Sequence, residues 1–310
     1  MSRTFQPVAC FSYLAAAELW QVAQFPLANY GAEVLNVERS IAADAPMAAA
    51  VLAALDVPTL LLANGVGNDQ NASDVRAWLQ RYRVDTTAKV KTGATTPKIV
   101  VVADDDGTRT WFPHLPGVSD ALAAVDLSSL FCASFAYIDC YQLIEAPAVR
   151  AIQAARSAGV PLVLNLGGSP LSSAVIAAVR GYPGLIIQTN VDDAAYVDAP
   201  QVARAILAAT GAAWVVITAG AAGVLALSEN RQITSPAFRV LVRHTHCAGA
   251  AFSGGLIYGL LHDWPMGDCL TLACASGALR CERTHSEAMP TLAELRAVID
   301  SRKRWSRPAA

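Results

Sequence analysis

The sequence predicts an α/β protein built on a doubly wound, mainly parallel sheet flanked by helices. Two observations carry that expectation. Short apolar runs rich in β-branched residues alternate with Ala- and Leu-rich stretches at helical spacing, which is the pattern of βαβ units. In addition, 54% of the 310 residues are hydrophobic and only 15% are charged, enough apolar material for strands buried on both faces. The length suits one domain over residues 1–310, because α/β folds of this size commonly stay undivided.

Taken in order, strands are expected at 8–13, 59–63, 133–138, 162–165, 185–189, 214–218 and 224–227. Helices are expected at 47–55, 73–81, 147–158 and 202–209, with Ser73 as a cap, Pro147 in a first turn and Gly159 as a stop. One region breaks the rhythm. Residues 98–103 and 108–112 flank Asp104-Asp105-Asp106-Gly107, a tight Asp-Gly reversal, and read as an antiparallel flap. The three aspartates there read as a solvated turn rather than a metal site. The basic tail 301–310 is expected to fray.

Charge and cysteines narrow the class of partner. A net charge of -2 with scattered Lys and Arg argues against nucleic acid and anionic membranes, and leaves a small molecule as the expected ligand. The apolar stretch 8–19 mimics a secretory segment, but Glu18 and the lack of a cleavage site argue against one. No run of eighteen apolar residues predicts a membrane span. The seven cysteines form no CxxC pair, so reduced thiols and a cytoplasmic location are expected.

The most informative stretch is Thr245-His246-Cys247-Ala248-Gly249-Ala250-Ala251-Phe252-Ser253-Gly254-Gly255, where small residues open an apolar helix. Glycines inside a helix cost about 1 kcal/mol each relative to alanine, so close backbone approach is the expected reason for them. Open amides at Ala248, Gly249 and Ala250, at the positive end of the helix dipole, would form an anion cradle.

This stretch resembles the hallmark of the ribokinase-like (PfkB) carbohydrate kinases: Asp-Thr, two variable residues, Ala-Gly-Asp, then an apolar helix. Thr245, Ala248, Gly249, Phe252 and Gly255 match it, and the resemblance extends over nearly the whole chain. Thr218-Ala219-Gly220-Ala221-Ala222-Gly223 looks like the family's TxGxxG turn. Asn190-Val191-Asp192-Asp193 resembles its NxxE element, with Asp193 in place of the glutamate. The resemblance therefore implies a ribokinase-like fold with a small β lid near 28–45 and 92–116. It further implies ATP-dependent transfer to a sugar or nucleoside hydroxyl, and a homodimer through the lid. Nucleotide contacts would fall at Thr218, Gly220, Gly223 and Asn190, Mg2+ would be held through Asn190 and Asp193, and the anion hole would comprise Ala248 and Gly249.

The departures from the pattern matter as much. The family's catalytic Asp falls at Ala250, which cannot accept a proton, and a positioned base is worth about 10²–10⁴ in rate. Substrate contacts would fall at Ala17 or its neighbour Glu18, at Ala43 and Met47 where the family has a Gly-Gly pair and an Asn, and at the strand end Asn165. His244 replaces the Asp that helps bind a monovalent cation, which argues against a site of that kind. These losses point to a kinase-like protein with impaired transfer, a nucleotide- or sugar-binding regulatory pseudokinase, or a kinase drawing its base from Glu18 or Asp139. Single residues carry further alternatives: His244, His246, Cys247 and His285 as a soft metal site, or Cys247 as a nucleophile, each set against ordinary packing and loop roles.

Overall fold

A computed structural model describes residues 6–105, 109–284 and 287–305. In chain order the elements begin with β1 (Val8–Phe11), β2 (Ala15–Gln21), β3 (Asn36–Ala42), α1 (Asp44–Ala54), β4 (Thr59–Leu62), α2 (Gln70–Arg81) and β5 (Asp85–Thr86). Next come β6 (Lys98–Ala103), β7 (Arg109–His114), α3 (Val118–Ala123), β8 (Phe135–Asp139), α4 (Glu145–Ser157), β9 (Leu162–Asn165) and α5 (Ser173–Val179). The chain closes with β10 (Ile186–Asn190), α6 (Ala199–Thr210), β11 (Trp214–Ala219), β12 (Gly223–Leu227), β13 (Gln232–Ser235), α7 (Ala248–Leu261), α8 (Met266–Glu282) and α9 (Leu292–Trp305).

The main sheet has the order β13-β12-β11-β10-β9-β8-β1-β4-β5. It is parallel from β11 to β5 and ends in the antiparallel strands β12 and β13. Its central strands are buried on both faces, which explains why they read as unbroken apolar runs. Helices α1, α2, α7, α8 and α9 pack on one face, and α3 to α6 on the other. This is the doubly wound fold the sequence predicts, and every expected strand and helix exists within a few residues of its expected bounds.

The second, four-stranded sheet runs β3-β2-β6-β7. Its β6–β7 pair is the expected flap, although Asp106 and Gly107 lie outside the described residues. Strand β2 is a surprise: Ala15-Ala16-Ala17 has weak strand propensity, and pairing with both β3 and β6 overrides it. The small sheet joins the core through Leu14, whose N–H donates to Asn64 Oδ1 at 2.9 Å and whose carbonyl accepts from Asn64 Nδ2 at 3.0 Å. The cap of α2 is Asp69 rather than Ser73, because the Asp69 carboxylate accepts the Ala72 N–H at 2.8 Å. No described helix is long and apolar enough to cross a membrane, and all seven cysteines are free thiols.

Candidate active site at the carboxyl ends of the strands

Open parallel sheets bind ligands beyond the carboxyl ends of their strands. There, strand register sets polar side chains in a row: Asp139 lies opposite Asn165, Asn165 opposite Gln188, and Asn190 opposite Thr218. Asp139, Asn165 and Gln188 are all buried.

Asp139 holds the start of α1. The residue preceding that helix, Ala43, offers no capping side chain, so the Asp139 carboxylate accepts from the N–H groups of Asp44 (3.1 Å) and Ala45 (2.8 Å). Asn165 Nδ2 donates to Asp139 Oδ1 at 2.9 Å and to Asp44 Oδ2 at 2.8 Å, bridging two carboxylates. Burial and the Asp44 charge push Asp139 up to about 7, and burial raises Asp44 as well, so the pair favours retaining a proton. The Tyr141 hydroxyl also accepts the Asp44 N–H, and its ring packs against Gly167, where a Cβ would meet it at 2.4 Å. Ala43 itself adopts φ 82°, ψ 157°, a conformation that glycine tolerates and alanine resists.

The second component is the tip of α7. Cys247 turns the chain into the helix with φ 63° and no side-chain cap. Among the described residues, no backbone or side-chain acceptor meets the amides of Gly249 or Ala250, and a Cβ on Gly249 would contact nothing within 4 Å. Gly254, Gly255 and Gly259 behave differently. A Cβ there would strike Val51 at 2.7 Å, Ala273 Cα at 2.9 Å and Cys269 Sγ at 2.7 Å, so these glycines let α7 lie directly on α1 and α8. Ser253 Oγ lies 3.0 Å from both Gly249 O and Gln188 Oε1, tying the helix to the polar row. Ala250 is fully buried.

On the other side of the row, Asp193 Oδ2 accepts the Ala221 N–H at 2.9 Å, and a Cβ on Gly220 would strike the same carboxylate at 2.2 Å. Gly223, at φ 101°, passes so close to Ser235 O that a side chain there would meet it at 2.5 Å. Thr218 and Asn190 sit beside this turn, with the Asn190 amide against Gly168.

Residues 45–292 match the sequence profile described as pfkB family carbohydrate kinase. The chain belongs to that family. Two curated relatives are 5-dehydro-2-deoxygluconokinases: one from Geobacillus kaustophilus, 31% identical over 30% of this chain and 28% of its own, and one from Shouchella clausii, 25% identical over 49% and 51%. The chain thus spans about half or less of the length of the curated relatives it matches. Similar solved structures include the Arabidopsis thaliana ribokinase complexed with ribose and ATP, at TM-score 0.75, 17% identity and 95% and 99% coverage. The Burkholderia thailandensis nucleoside kinase in complex with inosine gives 0.74, 18%, 97% and 100%. At these identities the structures establish the ribokinase-like fold.

Within this family fold, the expected site residues separate into groups. Thr218, Gly220, Gly223, Asn190 and Asp193 meet at one end of the row, and Ala248, Gly249 and Ala250 form the α7 tip, where the Ala248 amide, expected to be open, instead donates to Thr245 O at 3.3 Å as the chain turns into the helix. At the other end, Ala43 and Asn165 adjoin Asp44 and Asp139. Met47 is fully buried against the α7 face of the core, as its place one turn into an apolar helix dictates. Ala17 is buried in the small sheet, while Glu18 points the opposite way and accepts from Lys98 Nζ at 3.0 Å and Trp20 Nε1 at 3.1 Å. Those bonds hold its carboxyl below the ordinary range.

The alternatives for the loop before α7 fare poorly. Burial drives His244 down to about 4 and His246 to about 3, and pushes the Cys247 thiol up to about 12, the reverse of an activated nucleophile. Among the described residues no three His, Cys, Asp or Glu side chains are grouped to hold a metal ion, and His285 lies outside them. Sequence reasoning missed Asp44 and Tyr141 at the start of α1, and Arg109, whose Nη1 donates to Thr245 O at 2.9 Å just before α7. Only Asp44 left a signal, as an acid following the Ala42-Ala43 pair at a helix start.

Proposed function

We propose that the protein binds ATP or ADP with Mg2+ and a small sugar or nucleoside ligand, and that its phosphoryl transfer is feeble or absent. One observation carries this reading: the tip of α7 presents the unpartnered amides of Gly249 and Ala250, yet the position of the family's base is a buried alanine. Amides of this kind, at the positive end of a fourteen-residue helix, suit a phosphate. The two substitute bases are engaged elsewhere: Asp139 by the start of α1 and by Asn165, Glu18 by Lys98. Thr218, Gly220, Gly223 and Asn190 would line the nucleotide side. Asp193 and Asn190 would meet the metal through water, with Asp193 giving up only its outer lone pairs because it already holds Ala221. The small sheet would cover the ligand. Its edge strands β3 and β7 expose Val37, Trp111 and Phe112, apolar material suited to a homodimer through the lid.

Titration calorimetry with ATP and Mg2+ tests binding. Heat with saturation below millimolar nucleotide is expected, and neither heat nor a thermal shift at millimolar nucleotide would remove the reading. A phosphate-transfer assay over a panel of sugars and nucleosides tests the impairment: turnover above about 1 s⁻¹, within the common enzyme range, is the result that overturns it.

A further inference from the structure

Among the described residues Arg280 is the largest of the fully buried side chains, at 2% exposure, and it lies in the last turn of α8. Its Nη1 donates to Thr284 O at 3.2 Å and approaches Arg283 O at 3.4 Å. The His244 ring closes the same group. His244 Nε2 stands 2.5 Å from Arg283 O and therefore carries the proton it donates there, which makes the 3.3 Å approach of Arg280 Nη1 to that nitrogen a contact beside the bond. Carbonyl oxygens gathered around a buried positive charge at a helix C-terminus form the environment a cation requires, and here the chain supplies the cation itself.

The consequences run into the segment that delivers α7. The Arg243 and His244 amides donate to Cys281 O, at 2.9 and 3.4 Å. Arg109 Nη1, from β7, donates to Thr245 O at 2.9 Å. The Arg283 carbonyl, shared by Arg280 and His244, and the Cys281 carbonyl thereby join the end of α8 to residues 243–247 beside the buried guanidinium.

We propose that Arg280 is a positioning residue, a built-in cation that gathers the carbonyls at the end of α8 and fixes residues 243–247, leaving that segment independent of any dissociable monovalent cation. The inference concerns the segment alone and holds whether or not the α7 tip binds a nucleotide.

Thermal unfolding of the full chain in KCl, NaCl, guanidinium chloride or choline chloride, each at about 100 mM, tests it. The wild-type protein should melt at the same temperature in KCl, NaCl and choline chloride. Arg280→Ala should lose roughly 5 °C or more in choline, and guanidinium or K+ should restore at least half of that loss, because a free cation then enters among the carbonyls. Arg280→Lys should stay indifferent to salt identity. A wild-type protein that gains several degrees from K+ over choline overturns the proposal, as does a folded Arg280→Ala that no cation restores. If Arg280→Ala does not accumulate as folded protein, the wild-type series and Arg280→Lys decide: a Lys variant that becomes K+-dependent also overturns it.

Discussion

Asp139 Oδ2 accepts the Ala45 amide at 2.8 Å, so a carboxylate of the central sheet caps a helix 94 residues earlier in the chain. With the Asp44 amide on the same oxygen at 3.1 Å, that bond draws the start of α1 onto the sheet and places Asp44 beside a second acid.

The pairing makes stability depend on pH with a definite sign. Asp139 is raised from 3.8 to about 7, so between those values the folded state holds more protons than the unfolded state. Its contribution is fully present below about pH 4 and is lost as pH rises through 7, with a slope of at most about 1.4 kcal/mol per pH unit. Urea unfolding of wild type and Asp139→Asn between pH 5 and 8 should show the stability difference changing in that direction and levelling off above about 7.

Ala43 stores strain at φ 82°, ψ 157°. Ala43→Gly should raise stability by about 1 kcal/mol, since relief of the strained alanine exceeds the entropy that glycine adds to the unfolded chain. The check is an increase in the urea midpoint with an unchanged slope.

The glycines of α7 divide into two kinds that mutation can separate. Gly249→Ala meets no neighbour, so it should leave stability unchanged or raise it by up to about 1 kcal/mol, while weakening ATP binding about tenfold by standing over the amides. Gly255→Ala should instead cost about 1–3 kcal/mol, because its Cβ meets the Ala273 backbone at 2.9 Å. Calorimetry and thermal unfolding on both variants read the contrast.

Ala250→Asp should place a proton acceptor in the first turn of α7. A gain of about 10²–10⁴ in transfer rate on at least one sugar or nucleoside is expected. A lower melting temperature should accompany it, since the position is fully buried. Single-turnover assays on the variant and wild type make the comparison.

The fold was legible because parallel strands buried on both faces leave unbroken apolar runs, as at Leu162–Asn165, and because Gly159 and Pro147 punctuate helices through their own backbone chemistry. The places of Asn190 and Thr218 toward strand ends and of Gly249 in the first turn of α7 were legible through the order of their motifs. Strand β2 was not, since Ala15-Ala16-Ala17 becomes a strand only through partners twenty to eighty residues away. The contacts that bring Asp139, Asp44 and Asn165 together, and the burial of Arg280, share that character: each joins segments distant in the chain, although Asp139 and Asn165 were themselves singled out in the sequence.

The backbones of α7 and α8 touch with no cushion of side chains between them, at Gly255 against Ala273 and at Gly259 against Cys269. Architecture alone therefore demands most of the small residues that make this helix look like a working kinase's, and it would go on demanding them after catalysis had ceased. A family signature of this kind can outlive its chemistry; Gly249 stands apart, because a side chain there would meet nothing in the scaffold within 4 Å.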